Sequence, residues 1–111
     1  MNNNEKIVLD RFKALLSTHI GLHKLILFGS RARGDADPDS DLDVLVVLDN
    51  RPTDRERDII SDCAWEAGFD SGIVVVPVVF ARHDWEAGPE RYSLLAQAVQ
   101  AEGIRIPDLV S

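Results

Sequence analysis

Cysteine, long apolar runs and basic charge are all scarce in this chain, and each scarcity closes off a class of function. Cys63 is the single cysteine, so an internal disulfide and a multi-cysteine zinc site are excluded. The longest apolar stretch, Ile73–Phe80, falls far short of the roughly 20 residues of a membrane-spanning helix. Met1-Asn2-Asn3-Asn4-Glu5 offers neither a basic start nor a hydrophobic signal region, so nothing points to secretion and a cytoplasmic location is expected. Twelve Lys and Arg against nineteen Asp and Glu leave a net charge of −7. Non-specific nucleic-acid binding needs a basic surface and is therefore not expected; metal cations or a basic partner suit this balance better.

What is present describes an ordinary globular chain: 45% hydrophobic and 28% charged over 111 residues, enough to bury a real core in one domain spanning 1–111. Apolar residues Ile7, Val8, Phe12, Leu15 and Leu16 recur at helical spacing and predict a helix over residues 4–18. His23–Phe28 reads as a strand, and Leu42–Leu48 as a second, apolar nearly throughout and so central in its sheet. A helix follows from a cap at Thr53 or Asp54, burying Ile59, Ile60, Cys63, Ala64 and Ala67 and stopping near Gly68. Ile73–Phe80 is the third strand, Arg91–Ala101 the last helix, and Ile104–Ile106 an edge strand. Strands alternating with helices make a small α/β sandwich.

The chemistry is concentrated between Leu27 and Val44. Gly29-Ser30 leaves a strand, and ten residues later Asp41-Leu42-Asp43 enters the next. Gly29 lets a phosphate approach the backbone, and Ser30 can add its hydroxyl at the start of a short helix. Side chains alternate along a strand, so Asp41 and Asp43 share a side, where two carboxylates can hold hard cations such as Mg²⁺. A triphosphate seated between these groups would present its α-phosphorus to in-line attack.

Rival motifs fail on the same residues. Gly29 to Gly34 has the gap of a Walker A loop, but Asp35 and Ala36 stand where Lys and Ser or Thr belong. Asp35, Asp37 and Asp39 imitate the start of an EF-hand, yet Ser40 and Val46 occupy the positions of its Gly and Glu. His19, His23 and His83 have no ligand spacing. Trp65 lies off the buried stripe of its helix and is either a second packing face or a partner surface.

With Gly29, Ser30, Ala32, Arg33, Gly34, Ser40, Asp41 and Asp43 in this order, the chain resembles the minimal nucleotidyltransferases, small members of the DNA polymerase beta superfamily. The resemblance implies an α+β, polymerase beta-like fold with a mixed sheet of three to four strands. It also implies that Gly29, Ser30, Arg33 and Ser40 bind the nucleotide, ATP or another triphosphate, and that Asp41 and Asp43 hold two Mg²⁺ ions, with Mn²⁺ as a substitute. In that family a third acid on the next strand assists the acceptor hydroxyl. Ile73–Phe80 contains no acid, and Asp70 is the candidate replacement, reaching the site if the strand's entry end faces the metals. Members of the family are often paired with HEPN-domain proteins in bacterial toxin–antitoxin modules, and some transfer AMP from ATP to a tyrosine of the partner. So short a chain leaves the acceptor to a HEPN partner or a second copy. The two functions carried forward are a Mg²⁺-dependent nucleotidyltransferase and a binding protein that neutralises a HEPN ribonuclease.

Overall fold

The computed structural model describes residues 3–34, 40–88 and 93–106. In chain order the elements are α1 (Asn3–His19), β1 (Leu22–Phe28), α2 (Ser30–Arg33), β2 (Leu42–Leu48), α3 (Asp54–Phe69), β3 (Val75–Ala81), α4 (Arg82–Ala87), α5 (Leu94–Glu102) and β4 (Ile104–Ile106). The strands form one mixed sheet in the order β3-β2-β1-β4. β1 runs antiparallel to both β2 and β4, whereas β2 and β3 are parallel. The architecture is α+β with a four-stranded sheet, within the expectation drawn from the resemblance.

β2 explains its own composition. Leu42, Val44, Val46 and Leu48 pack toward α1 and α3 with Val8, Leu9, Phe12, Leu16, Ile60 and Ala64. Leu45 and Val47, on the alternate side, pack toward α4 and α5 with Trp85, Ala96 and Val99. A strand covered on both faces needs apolar side chains at nearly every position. Each fully buried Leu or Val there contributes about 1.5–3 kcal/mol.

Local signals set the boundaries. Thr53 caps α3: its hydroxyl accepts from the Glu56 N–H at 3.1 Å while the Glu56 carboxylate accepts from the Thr53 N–H at 2.9 Å. The third strand begins at Val75, two residues after the predicted start, because the Ile73 N–H donates to the Gly68 carbonyl at 3.1 Å and closes the end of α3. The last helix begins at Leu94, where the Ser93 hydroxyl accepts from the Ala96 N–H. Arg91 and Tyr92 of the predicted helix lie outside the described residues, as do Asp35, Asp37 and Asp39.

Candidate active site

The site is built where β1 ends beside the start of β2. Phe28 and Asp43 are cross-strand partners, so Gly29, the next residue, comes up against the Asp43 carboxylate. A Cβ on Gly29 would lie 2.5 Å from Asp43 Oδ2, and its φ is +80°. Glycine is therefore required twice, for the left-handed turn and for the carboxylate beside it. The chain then coils into α2, where the N–H groups of Ala32 and Arg33 donate to the Gly29 carbonyl at 3.1 and 3.2 Å. Gly34, also at φ +80°, releases it. The Ser30 hydroxyl lies outside the described part of the structure.

Asp41 is exposed just ahead of β2 and Asp43 is half-buried within it. Burial pushes the Asp43 carboxyl above the ordinary aspartate range, and the charge of Asp41 pushes it further. A half-buried carboxylate with a second aspartate close enough to act on it forms a ready cation site. Gly29, Asp41 and Asp43 are thus brought together as their spacing predicts.

Arg31 holds this arrangement in place, a part that sequence reasoning did not give it. Its Nε and Nη2 donate to the Ser40 carbonyl at 2.8 and 2.6 Å, and its Nη1 pairs with the buried Glu5 carboxylate at 3.1 Å. One guanidinium so fastens α2, α1 and the residue before Asp41. The signal was available in α1: Glu5 lies on the same stripe as Val8, Leu9, Phe12 and Leu16, and a carboxylate on a buried stripe demands a buried cation. Ser40, expected at the nucleotide, meets Arg31 through its backbone carbonyl. Arg33 donates to Glu102 of α5 at 2.9 Å, which places it on the α4 and α5 side of the sheet, the side toward which Asp43 points.

The position for a third acid is now defined. Val76 is the parallel partner of Asp43, and partners in register share a face, so a valine occupies the place beside the two carboxylates. Asp70 is not brought to them. β3 does enter the sheet at the site's end, but Asp70 caps α3 on the opposite layer and accepts from Arg11 of α1 at 3.3 Å. Among the described residues no third Asp, Glu, His or Cys completes a metal cluster.

A glycine turn, a short helix and paired carboxylates at the end of a mixed sheet define a nucleotidyl-transfer type of site. The chain belongs to the nucleotidyltransferase domain family, whose model matches residues 6–92. It is 35% identical over 77 residues to a provisionally named protein adenylyltransferase of Methanocaldococcus jannaschii, covering 68% of this chain and 78% of that one. Two solved structures share the fold. A toxin–antitoxin crystal structure with AMP-PNP matches with a TM-score of 0.63 at 22% identity, over 98% of this chain and 76% of that one. A complex of tri-AMPylated Shewanella oneidensis HEPN toxin with MNT antitoxin matches with a TM-score of 0.59 at 19% identity, over 94% and 72%. The fold is that of the polymerase beta-like nucleotidyltransferases.

Proposed function

We propose that this chain transfers AMP from ATP to a hydroxyl of a partner protein, in a reaction that depends on Mg²⁺. The observation that carries the proposal is the Gly29 turn packed against Asp43, whose carboxyl is already held high by burial and by Asp41. Gly29 keeps the space above Asp43 free of a side chain, so the phosphates can approach the backbone. Asp41 and Asp43 would hold the cations, and the fit is supported by their mutual repulsion. Mg²⁺ bound there supplies charge neutralisation on the triphosphate and polarisation of its α-phosphorus. Arg31 keeps the carboxylates in register with the turn, and Arg33, on the same side and paired with Glu102, would exchange that carboxylate for phosphate. The acceptor oxygen would bond to the α-phosphorus as the bond to pyrophosphate breaks, and the acceptor's proton passes to solvent or to the released pyrophosphate. The protein adenylyltransferase name of the curated relative supports AMP as the transferred group. The names of the structural neighbours support a HEPN-domain protein as the partner class.

Val76 favours a second reading. Among the described residues no third carboxylate stands beside Asp41 and Asp43 to serve the acceptor as general base, a group typically worth about 10²–10⁴-fold in rate. On that reading the chain neutralises a HEPN ribonuclease by binding it, and the nucleotide site is impaired. The intact mass of a co-expressed HEPN partner separates the two. Transfer predicts a gain of one AMP unit that disappears with Asp43→Ala. A partner left unmodified by the parent chain, yet neutralised equally by the Asp41→Ala, Asp43→Ala variant, would remove the transferase.

A further inference from the structure

The largest exposed apolar side chains of α3 stand together at the free edge of the sheet. Trp65, Phe69 and Val74 are 68%, 63% and 61% exposed, and the two rings pack with centroids 4.7 Å apart. With Gly68, Gly72 and Pro77 they line a groove of about 460 Å³ between α3 and β3. β3 is the last strand of the sheet on this side. The Val74 carbonyl accepts from the Leu42 N–H at 2.8 Å, so by alternation the polar groups of Val75, Pro77 and Val79 face outward. Proline has no N–H to offer there, which interrupts the edge as a template for another strand. The groove is thus suited to side chains, as a helix presents them, more than to an added strand.

Charge indicates what fills it. Trp65 and Phe69 continue the row of Ser61 at four-residue spacing, and the adjoining row of α3 is Asp58, Asp62, Glu66 and Asp70. Asp70 is paired with Arg11, while Asp58, Asp62 and Glu66 have no ion-pair partner among the described residues. The field is felt inside the helix, where burial and then Glu66 and Asp62 push the Cys63 thiol up. We propose that this groove docks a basic amphipathic helix of the acceptor protein, its apolar side chains seated on Trp65, Phe69 and Val74 and its Lys or Arg side chains against Asp58, Asp62 and Glu66.

A second copy of this chain fits poorly, because each carries a net charge of −7 and would bring its own acidic row to the contact. An anionic lipid surface is repelled for the same reason. Position gives the docking a use. The Val74 carbonyl at one end of the groove accepts from the Leu42 N–H, between Asp41 and Asp43, so a docked partner is held at the site's end of the sheet, on the layer opposite the carboxylates. That use rests on the transfer proposed above, whereas the docking itself requires only the groove.

The test uses the full chain and a labelled Leu/Lys amphipathic peptide of about 18 residues, five helical turns, with its Leu/Glu counterpart as control. The Leu/Lys peptide should bind, and the Leu/Glu peptide should not. Trp65→Ala should weaken binding about tenfold or more, as removal of a central aromatic anchor does. Asp62→Lys with Glu66→Lys should weaken it similarly, and the same charge change at Asp10 and Asp49 by no more than about twofold. Circular dichroism and ATP binding should be unchanged in the Trp65 variant. Equal weakening by the Asp10 and Asp49 reversals, indifference to Trp65→Ala, or a dimer that Trp65→Ala dissolves would each overturn the proposal. A chain that binds the peptide through the groove but leaves a co-expressed partner unmodified keeps the docking surface and loses only the transfer.

Discussion

Asp43 is the residue at which stability and function pull apart. Its carboxyl is raised by burial and by Asp41, so the folded chain holds that proton more tightly than the unfolded chain does. The native state then binds more protons, and stability falls as pH rises from the ordinary aspartate value of 3.8 through the raised one. At neutral pH the ionised Asp43 destabilises the metal-free protein. Asp43→Asn is expected to raise the melting temperature at neutral pH in chelator, and the gain should vanish near about pH 3, where both states are protonated. A melting temperature lowered by the substitution at neutral pH would show that the ionised carboxylate has a stabilising partner instead. That Asp41 and Asp43 belong together was legible from their alternate spacing in an apolar strand. The part played by Arg31 was not, because Arg31 and Arg33 look alike until Glu5 is seen to share a stripe with Phe12.

Elements enter where one residue joins several of them. Arg31 links α2 to α1 through Glu5 and to the start of β2 through Ser40, and both members of the ion pair are buried. Arg31→Met removes the guanidinium that pairs with the buried Glu5 carboxylate and should cost about 3–5 kcal/mol in urea denaturation. Arg31→Met combined with Glu5→Leu should recover most of that loss, since an apolar replacement of the whole pair leaves no buried charge. A double variant as unstable as the single one would place the cost in the Ser40 contact. The element boundaries themselves were largely written in the sequence: Leu42–Leu48 is the buried strand that its composition announces. β3 was harder, because Ile73 and Val74 have strand character but Ile73 is taken up by the α3 terminus. Register supplies a further test on that strand. Val76→Asp sets a carboxylate beside Asp43 and should raise Mn²⁺ affinity by about tenfold or more, at some cost to metal-free stability. Unchanged Mn²⁺ affinity in a folded Val76→Asp variant would show that this position does not face the cations.

For the whole molecule, what could not be seen in the sequence is which strands are neighbours. Short apolar strands carry their own burial pattern but little about their partners, and the parallel pairing of β2 with β3 decides that Val76, and not Asp70, adjoins Asp43. The site therefore draws on β1, α2 and β2 at once, with β3 setting its wall, so ligand binding should be felt by the entire fold. A ligand at about 100 times its dissociation constant stabilises the native state by about 2.7 kcal/mol, which for a chain of this size is a shift of about 10 °C. ATP with Mg²⁺ is expected to raise the melting temperature by that order, and ATP in excess chelator by far less. Asp41→Asn with Asp43→Asn should abolish the shift, whereas Trp65→Ala, on the opposite layer, should retain it. An equal shift in chelator would separate nucleotide binding from the cations. An undiminished shift in the double variant would move the nucleotide away from the Gly29 turn altogether.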